Sequence, residues 1–262
     1  MSETSNAADI AVSRDEHVAI VEICRPPHNF FDIALIQGLA DIFESLDKDP
    51  SCRSIVLAAQ GTAFCAGADF SRRENAPDVD RDRTSTPLYD EAVRLFSCLK
   101  PVVAAVHGPA VGGGLGLALV ADFRVTCADA KFSANFTRLG FHPGFALTYT
   151  LPRLVGVQKA ALMFYTGRRL GGEEAVSIGL ADFLVAKDQV RSEALNLAKE
   201  IAISAPLAIV STRTTLRMGL AEAARKATAR EGAEQSWQRQ TEDFKEGIAA
   251  MAARRTPQFK GK

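Results

Sequence analysis

The chain has 262 residues, enough for one large domain whose core needs neither disulfides nor a structural metal. Hydrophobic residues make up 47% and charged residues 24%, an ordinary globular profile. Its 31 Lys plus Arg balance its 31 Asp plus Glu, which excludes a global field favouring nucleic acid or an anionic membrane. The five cysteines are scattered, odd in number and without a CxxC, and the four histidines show no metal-ligand spacing. Reduced thiols, no metal and a cytoplasmic setting are therefore expected. The first ten residues hold no signal-peptide core, and the apolar runs are too interrupted to span a membrane.

In chain order, His17–Cys24 (HVAIVEIC) alternates apolar and polar residues and predicts a half-buried strand. Ile33–Leu46 has helical spacing, with Asp32 as its N-cap. Ser54–Ala59 (SIVLAA) predicts a buried strand. The long charged segment from Gln60 to Pro87 lacks a periodic pattern, and such a segment often carries function. Leu88–Leu99 is predicted helical, Pro101–Val106 a buried strand, Gly113–Ala121 an apolar helix and Phe123–Thr126 a strand. Strands alternating with helices at this pace argue for an α/β fold. Past Leu151 the pattern turns helical, with one strand at Asp182–Val185 and helices over Gln189–Ile203, Pro206–Gly219 and Glu231–Ala252. The apolar positions of that helical region need a partner, either the same domain or another subunit.

Two glycine-bearing turns, each following an apolar strand, carry the chemistry. They are Gly61–Asp69 (GTAFCAGAD) and His107–Gly116 (HGPAVGGGLG). Small residues let backbone N–H groups face outward and a ligand approach the main chain, and a helix opening at Gly113 offers free N–H groups and a positive dipole end. Such donors suit a thioester oxygen that gains charge during enolate chemistry, where losing one typically costs about 3–4 kcal/mol. A dinucleotide-binding GxGxxG would need glycine at 117, which is Leu117, and there is no P-loop GKS or GKT.

The segments GTAFCAGADF and PVVAAVHGPAVGGGLGLALVADFRVTCADAKF resemble the two oxyanion-hole loops of the crotonase (enoyl-CoA hydratase/isomerase) superfamily. RPPHNFFDIALI is similar to its first strand–loop–helix, and the stretch from LPRLVG to SIGLAD to the helices after the second loop. The resemblance implies a spiral of ββα turns over residues 15–200 and a C-terminal helical trimerisation region over 201–262, in a homotrimer or hexamer. It implies a coenzyme A thioester as substrate and no permanently bound cofactor. Matched position by position, it assigns the oxyanion donors to Ala66 and Gly113, and the coenzyme A and acyl channel to Ala66, Gly67, Ala68, Asp69 and Gly112.

The pattern also departs from the family. Its hydratases use two glutamates, because paired carboxylates can exchange protons with opposite ends of the water. Those positions are Gly116 and Phe136 here. The aspartate nucleophile of the dehalogenase branch matches Gly144. His142, in the loop bordering the acyl pocket, is then the leading acid–base candidate, since imidazole titrates near neutrality. Asp69, Asp90, Glu91 and Tyr149 are secondary candidates, with Tyr149 read foremost as a packed core residue, His107 as structural and Cys65 as a spacer. Arg25, Arg72, Arg73 and, from a neighbouring subunit, Lys260 are candidates for the coenzyme A phosphates, and Phe30, Phe31, Phe136 and Phe141 for an apolar acyl pocket. The sequence thus predicts an acyl-CoA enzyme of the enoyl-CoA hydratase/isomerase type. Its alternatives are a non-catalytic coenzyme A-binding homologue and a divergent isomerase, hydrolase or decarboxylase.

Overall fold

The computed structural model describes residues 5–7, 9–68 and 87–262. Asp69, Arg72 and Arg73 lie outside the described residues. The sheet begins earlier than the sequence predicts. Strands β1 (Ser5–Ala7) and β2 (Ile10–Asp15) run antiparallel ahead of β3 (Val18–Ile23). Strand β2 is half-buried, and its run of short and charged residues gives a weak apolar signal.

From β3 onward the connections are crossovers. Helix α1 (Ile33–Lys48) leads to β4 (Ser54–Ala59), which pairs parallel with β3 in the register Ile20 opposite Val56. Asp32 caps α1 as predicted, its side chain accepting from the Leu35 N–H at 2.9 Å. Helix α2 (Pro87–Phe96) precedes β5 (Val102–Val106), which pairs with β4. After β6 (Ala110–Val111), α3 (Gly113–Ala118) leads to β7 (Phe123–Thr126), parallel to β5.

The next segment holds β8 (Lys131–Ser133), a 3-10 turn at Asn135–Leu139, α4 (Leu147–Val155), α5 (Val157–Thr166), β9 (Arg169–Gly171) and α6 (Gly172–Ser177). Strand β10 (Phe183–Leu184) then joins β7, and the large sheet has the order β1-β2-β3-β4-β5-β7-β10. A second sheet, β6-β8-β9, stands beside it. The sequence missed β8 and β9, three-residue strands too short to show a period of two.

Strands β4 and β5 are buried along their whole length, which is why they read as unbroken apolar runs. Helix α7 (Val190–Ala202) covers one side of them, and the Ser54 hydroxyl donates to the Ala198 carbonyl at 2.8 Å. The C-terminal region comprises α8 (Pro206–Leu216), α9 (Leu220–Gln238) and α10 (Glu242–Ala252). The single helix predicted over Glu231–Ala252 is corrected to two. The chain turns at Arg239–Thr241, and Thr241 restarts it by accepting from the Phe244 N–H at 3.1 Å. Leu220 and Ala224 of α9 join the main core, and α9 packs on α2 and α4.

Candidate active site

The first glycine-bearing turn is stitched to the segment after β3. Asn29, fully buried, donates from Nδ2 to the carbonyls of Gln60 and Ala63, the latter at 2.8 Å, and its Oδ1 accepts from the Arg25 N–H at 3.0 Å. The N–H groups of Thr62 and Ala63 both donate to the Pro27 carbonyl, at 3.0 and 3.2 Å. The Ala66 N–H donates to the His28 carbonyl at 3.0 Å. Ala66 is therefore corrected as an oxyanion donor, because its only backbone hydrogen is spent inside the protein. Past it the chain pairs with Phe31, whose N–H donates to the Gly67 carbonyl at 3.0 Å. The Ala68 N–H has no acceptor among the described residues.

The second turn is locked onto the first. Cys65 N–H donates to the Pro109 carbonyl at 3.1 Å, and Val111 N–H donates to the Cys65 carbonyl at 3.0 Å. Gly114 sits so close to that Cys65 carbonyl that any Cβ would collide with it. Gly67, at φ +96°, is equally constrained, since a Cβ there would lie 2.9 Å from the Val111 oxygen and 3.9 Å from the Gly113 nitrogen. Gly112 donates to the Ser133 carbonyl at 2.8 Å, and Gly113 then opens α3 with its own N–H free of any acceptor among the described residues. Two open amides, Ala68 and Gly113, thus flank the same junction between the turns.

Both line one cavity of about 490 Å³, together with Gly67, Gly112, Phe31, Phe136, Phe141 and Phe145. Two pairs of rings form its aromatic wall. Phe31 and Phe145 have ring centres 5.6 Å apart, and Phe136 meets Phe141 edge-on at 5.4 Å. Exposed Lys131 and Arg169, from the paired strands β8 and β9, stand on the cavity lining as well. No carboxylate of the described residues lines it.

Residues 13–262 match the family model described as enoyl-CoA hydratase/isomerase. The chain belongs to that family. It is 34% identical over 98% of its length to a Bacillus subtilis protein named "Probable enoyl-CoA hydratase", covering 99% of that protein. It is 32% identical to the 2,3-dehydroadipyl-CoA hydratase of Escherichia coli, covering 97% of this chain and all of the other. The crystal structure of an enoyl-CoA hydratase/isomerase from Pseudoalteromonas atlantica superposes with a TM-score of 0.86 at 30% identity, covering 96% of this chain and all of the other. The α/β crotonase fold with a helical C-terminal region is thereby shown.

Within this enoyl-CoA hydratase/isomerase chain the two departures have physical occupants. A Cβ on Gly116 would lie 2.6 Å from Phe145 Cβ, so the Phe145 side chain fills the space that any side chain at position 116 would enter. Phe136 presents its ring to the cavity near Gly112. His142, the leading acid–base candidate, is corrected. It is absent from the cavity lining and faces a separate depression beside Thr148, Tyr165 and Gln238. Its Nδ1 lies 2.8 Å from the Pro143 carbonyl, the distance of a hydrogen bond that holds the ring in place.

The secondary candidates also find places. Cys65 is fully buried, and that burial pushes its thiol up to about 12, which removes it as a nucleophile. His107 lies 3.1 Å from the Gly61 carbonyl and braces the first turn. Glu91 pairs with Arg94 at 2.5 Å. Tyr149, read as core, is 40% exposed; the buried tyrosine on the cavity is Tyr89. Arg25 is held by Asp9 at 2.7 Å and Asp32 at 2.9 Å, which leaves it no fork for a phosphate.

Sequence reasoning missed four polar groups around the cavity. Tyr89 and Arg239 line it, Gln235 bonds both, and Glu231 lies behind it. Glu231 is fully buried and accepts from the Ala146 N–H at 2.8 Å, the Thr148 N–H at 2.9 Å and the Thr148 hydroxyl at 2.6 Å. It caps the start of α4 from another helix, a long-range pairing that leaves no local signature. Burial pushes its carboxyl above the ordinary value, against the pull of those donors.

Proposed function

We propose that the chain binds acyl thioesters of coenzyme A and withdraws charge onto the thioester oxygen through the N–H groups of Ala68 and Gly113. The observation that carries this reading is that these two amides, each without an internal acceptor among the described residues, line one aromatic-walled cavity in a chain of this family. Fixed backbone donors in a site shielded from water stabilise developing negative charge without reorganising at the moment of reaction. The relatives named as hydratases of crotonyl-CoA and 2,3-dehydroadipyl-CoA support the substrate class. Ala66, Gly67, Ala68 and Gly112 would line the thioester's channel. Lys131 and Arg169 are the basic groups best placed for the coenzyme A phosphates.

The paired-glutamate route to hydration is not available to a site with Gly116 and Phe136 at those positions. That correspondence puts ordinary hydration in doubt and favours other enolate chemistry, such as isomerisation, hydrolysis or decarboxylation. A second reading, a coenzyme A-binding homologue without turnover, draws on one observation, the lack of any carboxylate among the described lining residues. Titration with an acyl-CoA labelled with carbon-13 at the thioester carbonyl tests the first reading. A downfield shift on binding is expected, and an unshifted carbonyl in a saturated complex would refute the paired amides. A panel of enoyl- and acyl-CoA thioesters then separates turnover from binding alone.

Self-association as a trimer or hexamer is part of the same proposal. Ile203, Leu207, Leu216 and Met218, 71–85% exposed around α8, are large apolar side chains with no cover in a lone chain. Light scattering on the purified protein should give three or six times the chain mass of 28.1 kDa, and a monomer would reject that part.

A further inference from the structure

We propose that Arg239 receives a carboxylate at the far end of the acyl group, so that the thioesters this cavity prefers are those of dicarboxylic acids. The inference rests on the acyl-CoA reading above and names its substrate class. Arg239 follows the last turn of α9 and lines the cavity, its guanidinium carbon 5.6 Å from the centre of the Phe141 ring. Phe141 in turn meets Phe136, the ring beside Gly112. The guanidinium is therefore reached from the open amides across two phenyl rings, a wall suited to methylene groups.

Its surroundings leave it short of partners. Nη2 donates to Gln235 Oε1 at 2.6 Å, and the same oxygen accepts from the Tyr89 hydroxyl at 2.9 Å. Gln235 is itself oriented by donating from Nε2 to the His142 carbonyl at 2.8 Å. That neutral oxygen fixes the plane of the guanidinium but supplies no counter-charge. Nε is buried and makes no hydrogen bond, and no carboxylate among the described residues pairs with the group.

The other sequestered arginines behave differently. Arg124 pairs with Asp182 at 3.0 Å, and Arg213 and Arg217 share Asp122 at 2.8 and 2.9 Å. A cation drawn partly out of water with no counter-ion among the described residues is costly, and desolvation indeed pulls the half-buried Arg239 guanidinium below its ordinary value. A planar fork with free N–H groups, at the end of an apolar passage, is the complement of a carboxylate.

The test compares matched ligands on the intact protein by calorimetry. Glutaryl-, adipyl-, pimelyl- and suberyl-CoA are set against the monocarboxylic thioesters of equal chain length. At one length at least, the dicarboxylic thioester should bind about tenfold or more tightly, and Arg239→Met should abolish that preference while leaving the monocarboxylic partner's affinity in place. Arg239→Lys should keep part of it. Monocarboxylic thioesters that bind as well as their dicarboxylic partners at every length would overturn this inference alone. A preference that survives in Arg239→Met would do the same. Binding of neither series would remove the thioester reading and this inference with it. If Arg239→Met does not fold, the wild-type comparison decides.

Discussion

The close approach of Phe145 to Gly116 can be measured as a packing coupling between the two positions. A Cβ added at Gly116 would meet Phe145 at 2.6 Å from Cβ, 2.7 Å from Cδ1 and 2.8 Å from Cγ. The first of these atoms moves only with the backbone, and Phe145 is 1% exposed and held at φ +62°. Gly116→Ala should therefore cost about 1–3 kcal/mol from overpacking, less roughly 1 kcal/mol regained by replacing glycine in α3. Phe145→Ala should cost about 3–5 kcal/mol through the cavity it leaves. In the double variant the new methyl enters the space vacated by the ring. Its total should fall short of the sum of the singles by about 1–2 kcal/mol. Urea denaturation of the four proteins, followed by tryptophan fluorescence and circular dichroism, gives the cycle. Strict additivity would mean that Phe145 does not occupy the space beside residue 116 and would refute this packing account.

Four further outcomes are expected. Asn29→Ala should destabilise by about 2–4 kcal/mol in the same denaturation assay, since it leaves buried carbonyls without donors and the Arg25 N–H without its acceptor, and should weaken acyl-CoA binding by releasing the first turn. His142→Ala should leave acyl-CoA affinity within about twofold by calorimetry, because the ring lies outside the cavity. Glu231 has a folded pKa raised above 4.5, so its protonated form favours folding and its contribution declines as pH rises from there. Glu231→Ala, with the Ala146 and Thr148 donors orphaned, should be destabilised throughout, and its deficit relative to wild type in urea should narrow as pH rises. Glu246 shows the opposite sign. Its hydrogen bonds from Arg255 and the Gln258 N–H hold it down to about 2. Its hold on the C-terminal segment is full above 4.5 and lost as pH falls toward 2, and hydrogen exchange over residues 255–262 should quicken across that range.

What the sequence disclosed follows from the range of the interactions. Strands β4 and β5 and helix α1 were legible because burial on both faces, or on one face of a helix, writes a period into neighbouring residues. Gly67 and Gly114 were legible because close backbone approach admits only glycine. The open amide of the first turn lies two residues past the one the resemblance assigns. Nothing local distinguishes Ala66 from Ala68, yet the carbonyl of His28, 38 residues earlier, satisfies one amide and leaves the other open. The same blindness applies to Phe145. Its conformation and target are set by contacts with Gly116 and by the capping of the following residue from Glu231, which lies 85 residues away.

Helix α9 ties these observations together. Its sequence reads as a charged, weakly amphipathic helix, and charge on such a helix ordinarily faces water. Here one polar stripe, at positions 231, 235 and 238, turns inward and spends itself on a single segment. Glu231 takes the amides of Ala146 and Thr148, Gln235 donates to the His142 carbonyl, and Gln238 accepts from the His142 N–H at 2.5 Å. Two consecutive non-glycine residues in the left-handed region, Phe145 and Ala146, are tolerated because those bonds over-determine the loop. The loop in turn carries Phe145 into the space beside Gly116. Glu231, Gln235 and Gln238 find polar partners in the segment they clamp, whereas among the described residues the Arg239 side chain donates only back to its own helix while lining the cavity. A helix that braces the cavity wall thus also brings one cation to its lining, and the dicarboxylic series is the probe that reads that cation without disturbing the brace.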